Sequence, residues 1–211
     1  MVSYSGLVQA ALMTEQIRLS RGKSDRVPGQ GVRSSFETVL SKALDVRSTP
    51  QVPDTDLQCD MKFNEGLKFV LGREGSRLVR NDGGRESSKF GILQSTAARY
   101  GYKGDINNIP RSEVERIYRK LWEQSGSASL PFPLSTVHFD TYVNSPAAAE
   151  KILVKSRGDT DLYLKLRENR YARLVEMRPE QYGKYLKGWK SRIQTLRTMV
   201  AQHGGNSDFT A

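Results

Sequence analysis

Residues 63–94 read FNEGLKFVLGREGSRLVRNDGGRESSKFGILQ, and the change of pattern inside this stretch decides the fold class. Phe63, Leu67, Val70 and Leu71 recur at helical spacing, so the first part forms an amphipathic helix that Gly72 can end. From Gly75 to Ile92 the chain turns Gly-rich and polar, with Leu78–Val79 and Phe90–Ile92 as candidate short strands. A helix that runs into a small irregular β region points to an α+β chain rather than a pure bundle.

Downstream the pattern is helical. Ser95–Tyr100 makes a short helix stopped by Gly101, and Pro110 opens another whose stripe is Val114, Ile117, Tyr118 and Leu121. Leu134 to Asn144 is apolar enough to be buried, and Pro146 starts a helix through Ile152 and Leu153. Asp159 or Thr160 caps a longer helix containing Leu162, Leu166 and Leu174. Tyr182, Tyr185, Trp189, Ile193, Leu196 and Val200 form the stripe of a last helix. The fold expected is α+β and predominantly helical.

Upstream, residues 1–59 read as an appendage. Gly6–Leu19 and Phe36–Leu44 have the spacing of short helices, separated by the linker-like SRGKSDRVPGQGVRSS of residues 20–35. Ser48–Asp56, with two prolines, breaks structure again. Such short helices cannot bury their own apolar faces. The segment is therefore either a partly disordered tail or a docking or export segment that folds on a partner. The organisation expected is residues 1–59 as this segment, 60–203 as the folded domain and 204–211 as a polar tail.

Charge and composition narrow the partners. The 211 residues carry a net charge of +10, but residues 1–60 hold seven bases and seven acids, so the excess lies entirely beyond them. A positive field on the folded part favours a polyanion: nucleic acid, anionic lipid or anionic wall polymer. No zinc-finger spacing, paired stacking aromatics or recognition helix favours nucleic acid. No apolar run has the length of a membrane span, and the stretch Gly6–Met13 lacks the preceding charge of a secretory signal. A single cysteine, Cys59, excludes a disulfide framework within the chain.

The chemistry concentrates in Arg73–Gln94. Glu74 stands where the first helix meets the irregular region, Asp82 follows eight residues on, and Ser88 six further. A carboxyl held against an apolar wall binds its proton more tightly and suits a general acid. A second carboxylate across a cleft, with a hydroxyl beside it, can activate water; this is the equipment of inverting glycoside hydrolysis. From spacing alone, each acid could equally be a solvated surface residue.

These residues resemble the catalytic stretch of phage-type lysozymes: Glu-Gly, a later acid, then Thr and Gly-Ile. More widely, Met61–Leu196 is similar to the bacterial and phage N-acetylmuramidases of glycoside hydrolase family 108. The resemblance is carried by FNEGLKFVLGREG, Gly83-Gly84, Ser88-Lys89-Phe90-Gly91-Ile92, VERIYRKLW (residues 114–122) and FDTYVN (residues 139–144). It continues through Arg170-Tyr171, Lys187-Gly188-Trp189 and Arg192. It implies a lysozyme-like domain acting on peptidoglycan glycan strands without cofactor or metal. Glu74 would be the general acid, and Asp82 with Ser88 would direct water. Ser76, Arg77 and Ser88 replace the family's usual Gly, aromatic and Thr, and Asp82 and Gly83-Gly84 sit closer to the Glu than is usual. Glu86 is a rival for the second acid. An enzyme of this kind is made in the cytoplasm and acts at the wall. Without a signal peptide it needs a lysis, flagellar or specialised secretion route, for which residues 1–59 are the candidate address.

Other residues read more plainly. Glu65 belongs to the polar side of its helix. Asp140 and Asn144, one turn apart in an apolar helix, call for a buried polar network before a role in lining a cleft. His138 and His203 lack partners at ligand spacing. Trp122 and Trp189 sit on helical stripes, which favours packing over sugar stacking, and Gly83-Gly84 lacks the Lys-Ser or Lys-Thr of a phosphate loop. A noncatalytic wall-binding or assembly module on the same scaffold is the competing reading; it would have no evident reason to keep an acid at position 74.

Overall fold

The computed structural model describes residues 54–76, 78–82 and 86–204. The expected helices at Gly6–Leu19 and Phe36–Leu44, and the tail beyond Gly204, lie outside these residues. The chain is predominantly helical with one small sheet, as the α+β reading expects. Helix α1 spans Asp54–Glu74. Strands β1 (Val79–Asp82), β2 (Glu86–Lys89) and β3 (Ile92–Leu93) form an antiparallel sheet in sequential order. Then come α2 (Gln94–Arg99), α3 (Arg111–Gln124), α4 (Leu134–Asn144), α5 (Pro146–Ser156), α6 (Thr160–Met177), α7 (Pro179–Tyr182) and α8 (Leu186–Gly204).

Helix α4 organises the packing. Its Phe139 and Val143 join α1, α3 and β3 around Leu67, Val70, Ile92, Ile117 and Trp122. From the same helix, Leu134 and Val137 pack with Ile152, Tyr163, Leu164 and Leu196 on α5, α6 and α8. A third cluster, Tyr171, Trp189 and Ile193, closes the α6–α8 side, with the Tyr171 and Trp189 rings stacked at 4.5 Å. Both tryptophans are therefore core residues, each 1% exposed.

Several local expectations are corrected. Helix α1 begins at Asp54, within the stretch read as structure-breaking; in sequence Pro53 comes just before the first helical residue, where a missing N–H costs little. Gly72 does not end α1. Gly75 does, with φ +72° and its N–H donating to the Leu71 carbonyl at 2.9 Å, the left-handed cap that a glycine fits. Glu74 is thus the last helical residue rather than one beyond the helix. Phe90 and Gly91 are a turn and not strand, and ESSK of β2, too polar to look like a strand, pairs on both edges. On α6 the buried residues are Tyr163, Leu164, Arg167 and Tyr171, while Leu162 is exposed; Asp159 caps the helix, accepting from Leu162 N–H at 2.7 Å. The last stripe is divided among α7, a 3-10 turn at Gly183–Tyr185 and α8.

Candidate active site

The site is built around the C-terminal end of α1. The side chain of Glu74 is fully buried, and its Oε1 accepts from Arg192 Nη1 of α8 at 3.0 Å. Its other wall is the β2–β3 turn. Phe90 and Gly91 have φ of 54° and 73°, and Lys89 pairs with Ile92 across them. Positive φ at both central residues marks a tight two-residue hairpin, favourable for Gly and costly for Phe. Tyr118 holds the strained residue by donating its hydroxyl to the Phe90 carbonyl at 2.8 Å. A Cβ on Gly91 would lie 2.8 Å from Glu74 Cγ and 3.2 Å from Cδ, so the glycine leaves the space that the carboxylic side chain fills.

Behind Glu74 runs a buried chain of charge. Arg192 places Nε at 2.9 Å and Nη2 at 2.6 Å from Asp140 Oδ1, while Arg167 Nη1 reaches Asp140 Oδ2 at 2.7 Å. Arg167 Nε donates in turn to the Tyr171 hydroxyl at 3.0 Å. Burial alone would raise the Asp140 carboxyl, but the guanidiniums of Arg192 and Arg167 outweigh it and hold the group below the ordinary range. Burial opposes the charge on Arg192 as well; Asp140 and then Glu74 overcome it and raise that guanidinium above its usual value. Burial, with the nearby Glu74 charge second, pushes the Tyr118 phenol well up, so it is a fixed donor to the turn.

The remaining sequence candidates separate. Ser88 lies in β2, is 1% exposed, and pairs in register with Val79 on one side and Leu93 on the other. Asp82 ends β1 opposite Glu86, and the position of its side chain lies outside the described residues. Glu86 has a different occupation: its two oxygens accept from Ser95 N–H and Ser95 Oγ, each at 2.7 Å, which caps α2. Glu65 is exposed. His138 is buried, with Nδ1 at 3.1 Å from the Tyr163 hydroxyl and Nε2 at 3.0 Å from the Ser125 carbonyl. Asn144 donates to the Asp140 main-chain carbonyl at 2.6 Å, while the Asp140 carboxylate holds the buried network that its apolar surroundings demanded.

The contact that sequence reading missed is Arg192 with Glu74, 118 positions apart. The signal in the sequence points to Asp140 rather than to Glu74: Arg192 stands within the stripe Trp189, Ile193, Leu196, and Arg167 between Leu164 and Tyr171. A guanidinium on an apolar face needs a buried anion, and Asp140 was already the candidate. Arg192 also gives Glu74 a structural partner, so a noncatalytic scaffold would have a reason of its own to keep the acid.

An acid at a helix end, set against a glycine hairpin, supplies one of the two carboxyl groups that glycoside hydrolysis uses. Residues 67–145 match the family described as Glycosyl hydrolase 108, which supports membership of this chain in glycoside hydrolase family 108. The matched segment contains Glu74, Asp82, Ser88 and Asp140, and is shorter than the Met61–Leu196 span of the resemblance; Arg167 and Arg192 lie beyond it. No curated protein and no solved structure matches the chain. The family match implies a glycan as substrate, and no helix among the described residues is long and apolar enough to cross a membrane.

Proposed function

We propose that the chain is a peptidoglycan hydrolase of the lysozyme type: an N-acetylmuramidase that cleaves the β-1,4 bond between N-acetylmuramic acid and N-acetylglucosamine. The observation that carries this reading is the seating of Glu74. It is fixed in one geometry between Gly91 and Arg192, the positioning that a proton donor needs. Burial and the carbonyl end of α1 disfavour a negative charge there, whereas Arg192 favours it. Arg192 is shared with both oxygens of Asp140, so its charge is not spent on Glu74 alone.

Oε1 accepts from Arg192, and in this reading Oε2 carries the transferable proton. As the glycosidic C–O bond breaks, that proton passes to the departing oxygen and Glu74 becomes a carboxylate beside a guanidinium already in place. Charge developing on the sugar is oxocarbenium-like. Water adds to the anomeric carbon from the opposite face and gives its proton to Asp82, with Ser88 helping to place it. The outcome is inversion. The enzyme acts at the wall, reached through an export, flagellar or secretion apparatus addressed by residues 1–59.

The second reading, a noncatalytic wall-binding or assembly module, is favoured by one observation: the Glu74–Arg192 pair would stabilise the fold without chemistry. Digestion of purified sacculi followed by mass spectrometry of the released fragments separates the two. New reducing ends on N-acetylmuramic acid are expected. Sacculus binding with no fragments released would support the module, and new ends on N-acetylglucosamine would overturn the bond assignment.

A further inference from the structure

Two clefts lined by basic side chains differ in how far their charges are spent. The first, about 420 Å³ between α1 and α3, is lined by Lys68, Arg111, Arg116 and Arg119 and by the carboxylate of Glu115. Its three arginines are ion-paired, with Glu115, Glu113 and Asp60 respectively. The second, about 290 Å³ between α5 and α6, gathers Lys151 and Lys155 from one helix and Arg170 and Arg173 from the other over a floor of Ile152 and Leu166. Among the described residues no carboxylate lines it, and none of its four cations is ion-paired.

We propose that this α5–α6 cleft is a binding site for the phosphodiester groups of an anionic polyol-phosphate polymer. Four such cations converging on one concavity repel each other, and an anion with several acceptor oxygens removes that cost. Guanidinium forks from Arg170 and Arg173 match phosphate oxygens in two-point contacts, and the lysines add point charges. Burial pushes the Arg170 guanidinium down and the neighbouring Arg167 adds to this, so the half-buried member of the group gains most from a bound anion. The cleft is concave, a poor match to the plane of a bilayer. No aromatic side chain among the described residues lines it, so it offers no stacking platform for bases. A thin chain of phosphates joined by small polyols suits it better. The choice of polymer rests in part on the proposed wall substrate; the site itself does not involve Glu74.

The test is calorimetric titration of the full chain with poly(glycerol phosphate) at fixed salt. Parallel arms use a single-stranded oligonucleotide of equal phosphate number and phosphatidylglycerol vesicles. Binding of poly(glycerol phosphate) is expected to weaken at least tenfold in Lys151→Gln/Arg170→Gln and to be unchanged in Arg111→Gln/Arg119→Gln. Both variants should keep wild-type activity on sacculi stripped of phosphate polymers, and Glu74→Gln should keep wild-type polymer binding. Equal weakening in the two double variants would reduce the effect to net charge and overturn the site. Tighter oligonucleotide or vesicle binding, lost in Lys151→Gln/Arg170→Gln, would overturn the polymer assignment. If sacculi are not hydrolysed but cleft-dependent binding persists, the hydrolase reading fails and this one stands.

Discussion

Gly91 and Glu74 are complementary shapes: the hairpin glycine, with φ +73°, comes so close to Glu74 that even a methyl group there would strike the side chain at 2.8 Å. Gly91→Ala therefore carries two penalties, left-handed backbone strain of about 1–2 kcal/mol and displacement of the acid. The expected result is a fall in sacculus hydrolysis of at least about tenfold, larger than the stability loss explains, because small misplacements of catalytic groups are expensive. Comparing thermal unfolding with reducing-end release checks this; a variant as active as wild type would show that Glu74 need not occupy its observed position.

Arg192 meets Asp140 through Nε and Nη2 and Glu74 through Nη1. A lysine keeps the charge but cannot span both carboxylates with a planar fork. Arg192→Lys is expected to lose stability, but less than the ~3–5 kcal/mol of removing one partner of a buried pair. Its residual activity, measured at a temperature where the variant stays folded, should also be reduced. Denaturant unfolding of Arg192→Lys at wild-type stability would contradict the network as drawn.

The helices were legible because burial stamps a 3.6-residue period on them: Val114, Ile117 and Tyr118 are buried as their spacing requires. Asp140 was legible as a network residue because a carboxylate in an apolar helix must be partnered. Strand β2 was not, since Glu86, Ser87, Ser88 and Lys89 carry no alternation and owe their conformation to pairing with neighbours. Gly72 and Gly75 are equally good helix stops in sequence; the buried Glu74–Arg192 pair lies past the first and holds the added residues of α1. The Arg192 contact depends on how α8 returns across α1, and no local pattern encodes that.

Glu86 and Asp82 face each other in register, yet Glu86 caps α2. Glu86→Gln should cost about 1 kcal/mol of stability, the typical value of a helix cap, and leave hydrolysis within a few-fold of wild type. Asp82→Asn should do the reverse, lowering the rate with little change in unfolding. A larger rate loss in Glu86→Gln than in Asp82→Asn would transfer the second-acid role to Glu86.

Stability should decline in acid in two stages. Burial holds His138 below its ordinary value, so the unfolded chain takes up that proton first. The contribution is complete above about pH 6.5 and is lost as pH falls toward the folded-state value. Asp140 is likewise held low, so its contribution is present above about pH 4 and disappears at lower pH. His138→Gln should flatten the melting-temperature profile between about pH 7.5 and about pH 5, leaving the lower stage intact. An unchanged upper stage would remove His138 from the account.

Reducing-end release from purified sacculi by Glu74→Gln, set beside wild type at equal folded concentration, tests the catalytic assignment most directly. The amide can still accept from Arg192 but carries no acidic proton, so the rate is expected to drop by at least about a hundredfold, in line with loss of a general acid, while the protein still unfolds cooperatively. Glycan cleavage at the wild-type rate by that folded variant would contradict it.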